Sequence, residues 1–171
     1  QQFQTKETAD LFMVLLMYLL KDTGRAAIVL PDGFLFGEGV KTTIKEKLLE
    51  EFNLHTIVRL PNGVFAPYTD INTNLLFLEK GKPTKEIWFF EHPLPEGYKK
   101  YTKTKPIRHE EFELEKQWWN KREENQYAWK VSIEEIKSRN YNLDIKNPNN
   151  KGAEIELTKD EIIDRIESNL I

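Results

Sequence analysis

The residues with the clearest chemical potential are Phe65 and Tyr68. They flank Pro67 in the stretch Leu60-Pro-Asn-Gly-Val-Phe-Ala-Pro-Tyr-Thr-Asp-Ile-Asn-Thr-Asn-Leu-Leu-Phe-Leu-Glu-Lys80. Flat rings on a proline-stiffened loop suit stacking on a planar ligand such as a nucleobase. The same rings could instead fill the core beneath a long turn, the common fate of aromatic side chains. The apolar runs on either side, Thr56 to Leu60 and Asn74 to Leu78, read as strands. Loops at strand ends are where α/β proteins place binding groups.

A second candidate is the basic run from Tyr98 to His109. It carries Lys99, Lys100, Lys103, Lys105 and Arg108, no acid, and the interleaved rings of Tyr98 and Tyr101. Such a run can track a phosphate backbone, and it can equally be a solvated loop. The block that follows, Glu110 to Glu115, is acidic. Asp32 lies just after an apolar run and Asp70 lies in the aromatic loop, where each could meet a ligand or simply form a turn. Gly33, Gly37 and Gly39 fall between a strand and a helix, but their spacing matches no phosphate-binding fingerprint, so a turn is the better reading. There is no Ser/His/Asp elbow. His55, His92 and His109 belong to different elements, so no metal-ligand spacing exists.

Composition narrows the class. The chain has 171 residues, 39% hydrophobic and 31% charged, which is enough for one globular domain with a sizeable core. A net charge of -3 gives no global signature for nucleic acid. The absence of cysteine excludes disulfides, thiolate catalysis and cysteine metal sites. Gln1 to Asp10 is polar and the apolar run Leu11 to Leu20 is too short to span a bilayer, so no membrane partner is expected. A first residue of Gln rather than Met fits a processed or excised piece.

The elements follow from periodicity and punctuation. Thr8 to Lys21 is expected to be a helix capped by Thr8, favoured by Asp10 near its start, stopped by Gly24 and apolar nearly all round. Ala26 to Leu30 reads as a buried parallel strand ended by Pro31-Asp32-Gly33. Val40 to Phe52 reads as an amphipathic helix with Ile44, Leu48, Leu49 and Phe52 inside and Lys41, Lys45, Glu46 and Glu50 outside. Glu86 to Glu91 is a further strand. Helix–strand alternation predicts βα units and a parallel sheet, with antiparallel pairing at one edge among the later strands. Composition shifts after Pro93, which divides the chain into 1–92 and 93–171. In the second part, Ser132 with Glu135 signs the start of a short helix running to Arg139. Tyr141 to Pro148 is extended, and Thr158 with Glu161 opens a last helix to Asn169.

Several strings together resemble one family. They are Gly24-Arg-Ala-Ala-Ile-Val-Leu-Pro-Asp-Gly-Phe-Leu-Phe36, the loop from Arg59 to Asn74, Thr102-Lys-Thr-Lys-Pro-Ile107, the Trp118-Trp119 to Ala128-Trp129 block, and Tyr141-Asn-Leu-Asp-Ile-Lys-Asn-Pro148. The resemblance, over residues 7 to about 148, is to the modification (M) subunit of type I restriction–modification systems, a DNA adenine methyltransferase. It implies an α/β fold: the C-terminal half of a Rossmann-like, S-adenosylmethionine-dependent methyltransferase sheet, plus an α-helical and irregular C-terminal extension. It further implies methyl transfer from S-adenosylmethionine to the exocyclic amine of adenine. The implied partners are DNA, a specificity (S) subunit, a restriction (R) subunit and a second M subunit, and the implied location is the cytoplasm.

The family's Gly-rich cofactor loop and its Asn-Pro-Pro-Phe/Tyr catalytic motif are both missing. Asn147-Pro148-Asn149-Asn150 lacks the second proline and the aromatic. The chain is therefore expected to be the C-terminal part of an M subunit, inactive alone, with no catalytic, cofactor or metal residue of its own. One role carries over. Gly63-Val64-Phe65-Ala66-Pro67 matches the family's Val-Phe-Pro-like string, whose aromatic stacks on the flipped adenine, with one extra residue before the proline. That points to Phe65, with Tyr68 as the less favoured ring. The alternative is a non-catalytic subunit-docking or DNA-interaction module.

Overall fold

The computed structural model describes residues 5–149. The helix expected over residues 158–169 lies outside them. Along the chain run α1 (Thr8–Leu19), β1 (Arg25–Pro31), α2 (Asp32–Phe36), α3 (Val40–Glu51), β2 (Phe52–Arg59), β3 (Thr73–Lys80), β4 (Glu86–Glu91), α4 (Glu113–Trp119), β5 (Ala128–Ser132) and α5 (Ile133–Ser138), with a 3-10 turn at His109–Phe112 leading into α4. The strands form one mixed sheet in the order β1-β3-β2-β4-β5.

β3 is antiparallel to both β1 and β2, β2 and β4 are parallel, and β4 and β5 are antiparallel. β1, β2 and β4 therefore share one direction, and their carboxyl ends open on the same side. The expected α/β character holds, with two corrections. β1 is not a buried parallel strand: among the described residues it is an edge strand paired only with β3. The antiparallel strand β3 is not at an edge either, because it returns after the aromatic loop and inserts between β1 and β2. Only Leu30 of β1 is buried, and a continuous apolar run reports neither that exposure nor the neighbouring strand. β5 was not expected. Lys130 interrupts its apolar run, but Trp129 stacks on Phe89 at 5.4 Å and Lys130 reaches Glu86 across the strands at 3.2 Å.

Both faces of the sheet are used. α1 and α3 cover one face over a core that includes Met13, Met17, Leu30, Phe34, Ile44, Leu48, Leu54, Ile57, Leu76 and Phe89. On the other, α4 lays Trp118 against Trp88 and Phe90, and Trp119 against Phe77 at 4.8 Å. The Arg122 guanidinium stacks over Trp119 at 4.6 Å. α5 begins as its sequence predicts, with the Ser132 hydroxyl accepting from the Glu135 N–H.

α1 starts and stops differently from expectation. Glu7, not Thr8, takes the cap position, and the helix ends at Leu19, before Gly24. Only one stripe of it, Met13 and Met17 with Asp10, is buried. Phe12, Tyr18 (83% exposed) and Leu19 (66% exposed) face outward, and Phe12, Leu15 and Leu19 form an apolar surface with Ile28 of β1. An apolar patch next to an unpaired strand edge is a template for association. The chain should therefore self-associate as its concentration rises. Sedimentation at several concentrations checks this, and a strict monomer that binds no apolar dye would contradict it.

α3 has the expected inner stripe, but Lys45 belongs to it rather than to the outer face. Lys45 is fully buried, and its Nζ donates to the carbonyls of Leu35 at 2.7 Å and Gly37 at 2.9 Å. It ties down α2, the short helix formed where the sequence predicted only a strand-ending turn. Burial, aided by nearby Lys41, pushes its amine down from 10.5 to about 8. Between those values the unfolded chain binds more protons than the folded one, so stability should rise with pH across that window. Lys45→Met should abolish that rise and cost roughly 1–2 kcal/mol, because the half-buried Gly37 carbonyl loses its donor while the Leu35 carbonyl keeps that of Leu143. Urea titrations of both proteins between pH 7 and 10 measure the effect.

Candidate functional site

The aromatic loop leaves β2 at Arg59 and re-enters the sheet at Thr73, where Leu60 N–H donates to the Thr73 carbonyl at 3.0 Å. Between these points the backbone folds on itself. The N–H of Ala66 donates to Gly63, and those of Tyr68 and Thr69 to Phe65. The Ala66–Pro67 bond is cis. Phe65 is 42% exposed and Tyr68 92%. Neither ring fills the core, so the expectation that left burial open is resolved toward surface rings.

The root of the loop is an ionic cluster that the sequence did not reveal. The Arg59 guanidinium meets Asp144 at 2.7 Å and Asp32 at 3.7 Å, and donates to the Ile145 carbonyl at 3.0 Å. Asp32 also accepts from Asn74 Nδ2 at 2.7 Å. Asp32 does sit at a strand end, as expected, but its carboxylate is engaged by its own chain. The extended segment that contains Asp144 runs back over α2, with Leu143 N–H donating to Leu35. Above the cluster is a cavity of about 480 Å³ lined in part by Asp32, Arg59, Asn72, Glu91, Tyr127 and Asn147. It lies at the carboxyl ends of β1, β2 and β4, the usual ligand side of an open α/β sheet.

The basic run lies against the aromatic loop. Thr102 and Lys105 bond each other's backbone at 3.1 Å and form a tight turn, and Lys105 Nζ sits 4.9 Å from the centre of the Tyr98 ring. Lys99, Lys103, Lys105 and Arg108 are exposed. Lys100 pairs with Asp70 of the aromatic loop at 3.2 Å. Tyr101 departs from the expectation of an exposed interleaved ring, because it is fully buried. Its hydroxyl donates to Glu111 and lies 3.3 Å from His92 Nε2, and His92 Nδ1 meets Glu115. Burial and then Glu111 push the Tyr101 phenol well above its ordinary value. Two acids of the apparently solvated block thus point inward. The one available signal was that His92 directly follows a buried strand.

Two of the three glycines, Gly37 and Gly39, lie in the link between α2 and α3. Gly33 is inside α2, Gly39 takes the positive φ that starts α3, and a Cβ at Gly37 would overlap Lys41 and the Gly33 carbonyl. Among the described residues no cluster of three or more His, Asp or Glu could hold a metal, and no helix is long and apolar enough to cross a membrane.

Comparison with known proteins places this arrangement. The family model described as N-6 DNA Methylase matches residues 1–156. The methylase subunit of the type I restriction enzyme EcoEI from Escherichia coli is 60% identical over 169 residues, covering 95% of this chain and 34% of the relative. A modification subunit from Vibrio vulnificus YJ016, assigned to a type I restriction enzyme, superposes with a TM-score of 0.82 at 53% identity, over 86% of this chain and 33% of that one. A chain solved in work on complex assembly and conformational transition of the type I R-M system gives 0.84 at 40% identity, over 99% and 38%. The chain spans about a third of the length of the curated relative it matches.

Proposed function

The chain belongs to the N-6 DNA methylase family, and on that premise we propose that it is the part of a type I modification subunit that receives the target adenine. The whole protein then transfers a methyl group from S-adenosylmethionine to the exocyclic amine of adenine in DNA. It acts in the cytoplasm with a specificity subunit that reads sequence, a second M subunit and, for cleavage, a restriction subunit. The observation that carries this reading is the exposed Phe65 ring, held on a folded-back loop at the carboxyl ends of β2 and β4.

A base leaves the duplex only if its unstacking is compensated, and a ring in the pocket supplies a new π-face. Phe65 does this work, with Tyr68 as the second ring of the loop. Lys99, Lys103, Lys105 and Arg108 face solvent close by and neutralise phosphates. Lys100 joins them at the cost of its pairing with Asp70. By role the chain divides at residues 92/93, with the stacking loop before and the phosphate-facing loop after, although β5 joins the same sheet.

S-adenosylmethionine supplies the methyl group. The family's Gly-rich loop for it is not in this sequence. Asp32, at the end of β1, is held by Asn74 and Arg59. We therefore assign none of these residues to the cofactor.

The test is transfer of labelled methyl from S-adenosylmethionine to DNA by the full-length protein with its specificity subunit, followed by nucleoside analysis. Label in N6-methyladenine is expected. Label in methylcytosine, or no transfer, would overturn the reading.

A further inference from the structure

We propose that Gly63 and Tyr101 are positioning residues, which lock the Phe65 loop and the lysine-bearing loop into a single unit referenced to the sheet. The inference rests on the stacking role proposed for Phe65. Gly63 has φ +84°, a conformation other residues rarely adopt, and the Tyr101 carbonyl packs where a Cβ would stand. Tyr101 N–H donates to the neighbouring Asn62 carbonyl at 3.0 Å. The two loops thus touch backbone to backbone, two residues before Phe65. A second tie, Lys100 to Asp70, lies on the far side of the rings at 3.2 Å.

Tyr101 is itself fixed from below. Its hydroxyl reaches Glu111 and His92 Nε2, and all three of His92, Tyr101 and Glu115 are buried. His92 follows β4 directly. Its N–H donates to the Arg59 carbonyl at 2.9 Å and its ring meets Glu115 of α4. A continuous path runs from the ends of β2 and β4 through His92 and Tyr101 to Gly63, and from there to Phe65. None of these anchoring groups needs to touch DNA. Their effect is on where the ring stands, and a displacement of about 1 Å can cost up to about 100-fold in rate. The same path sets the spacing between the stacking ring and Lys99 and Lys103.

The test uses the full-length methyltransferase on DNA carrying 2-aminopurine at the target adenine, whose fluorescence reports stacking, and matched methylatable DNA. Gly63→Ala, Tyr101→Phe and Phe65→Ala are measured singly, and the first two again on the Phe65→Ala background. Gly63→Ala and Tyr101→Phe should each lower turnover about 10-fold with unchanged KM for S-adenosylmethionine. Each should also shift the fluorescence in the direction of Phe65→Ala. Because they act through that ring, neither should add a further loss once Phe65 is gone. Tyr101→Phe keeps the ring and backbone, so it decides the matter if Gly63→Ala folds poorly. A wild-type signal from Phe65→Ala overturns the stacking reading and this inference with it. A Phe65→Ala shift without a matching one in Tyr101→Phe, or losses that simply add, overturns the positioning role alone.

Discussion

Phe65→Ala in the full-length methyltransferase is expected to lower methylation roughly 5- to 150-fold, since base–aromatic stacking is worth about 1–3 kcal/mol per base. Phe65→Trp should retain more activity because it keeps a π-face. The ring is 42% exposed, so truncating it opens no core cavity. Thermal stability and cofactor affinity should therefore barely move while turnover falls. Methylation rate and melting temperature, taken on the same preparation, are the decisive pair. Full activity, or a loss that tracks unfolding, refutes the role. If Tyr68→Ala alone gives the selective loss, the base stacks on Tyr68, and the extra residue before Pro67 has moved the contact along the loop.

Replacing Lys99, Lys100, Lys103 and Lys105 together by Ala should weaken DNA binding and flatten its salt dependence. Each phosphate neutralised contributes about 0.9 to the slope of log K against log salt. Lys100 already has Asp70 as a partner, so a slope shallower by about 3 is expected rather than the full contribution of four charges. The substituted side chains are exposed, and folding should be unaffected. Binding isotherms at several salt concentrations measure the slope. An unchanged slope would return this loop to plain solvated surface, or to a contact with another subunit.

What the sequence disclosed depended on how local the cause was. α3, β2, β4 and the Ser132 cap were readable because their signals lie within one or two turns of chain. Phe65 and Tyr68 were singled out by residue type, from a loop of Pro, Gly and Asn between two strands, but their exposure was not readable. β3's insertion between β1 and β2 was not, because strand order depends on which distant edge a returning segment meets. Lys45 was misplaced for a similar reason. Its charge argued for solvent, while the two carbonyls that hold it belong to a helix the sequence did not announce. The Arg59 cluster gathers Asp32 and Asp144 from opposite parts of the chain. The His92–Tyr101–Glu115 network converges only after β4 and α4 have packed. Its acids look like ordinary helix-surface charge until they do.

Photocrosslinking tests the role of this chain most directly. The full-length protein, with its specificity subunit, is irradiated on DNA that carries 5-iodouracil in place of the target adenine. A mispaired base is easily extruded, and light breaks the C–I bond of the iodouracil, whose ring carbon then bonds to the stacked aromatic ring with net loss of HI. Mass spectrometry of the joined peptide should place the bond at Phe65. A bond at a residue outside the loop from Leu60 to Thr73 would contradict the assignment of this loop as the one that receives the base.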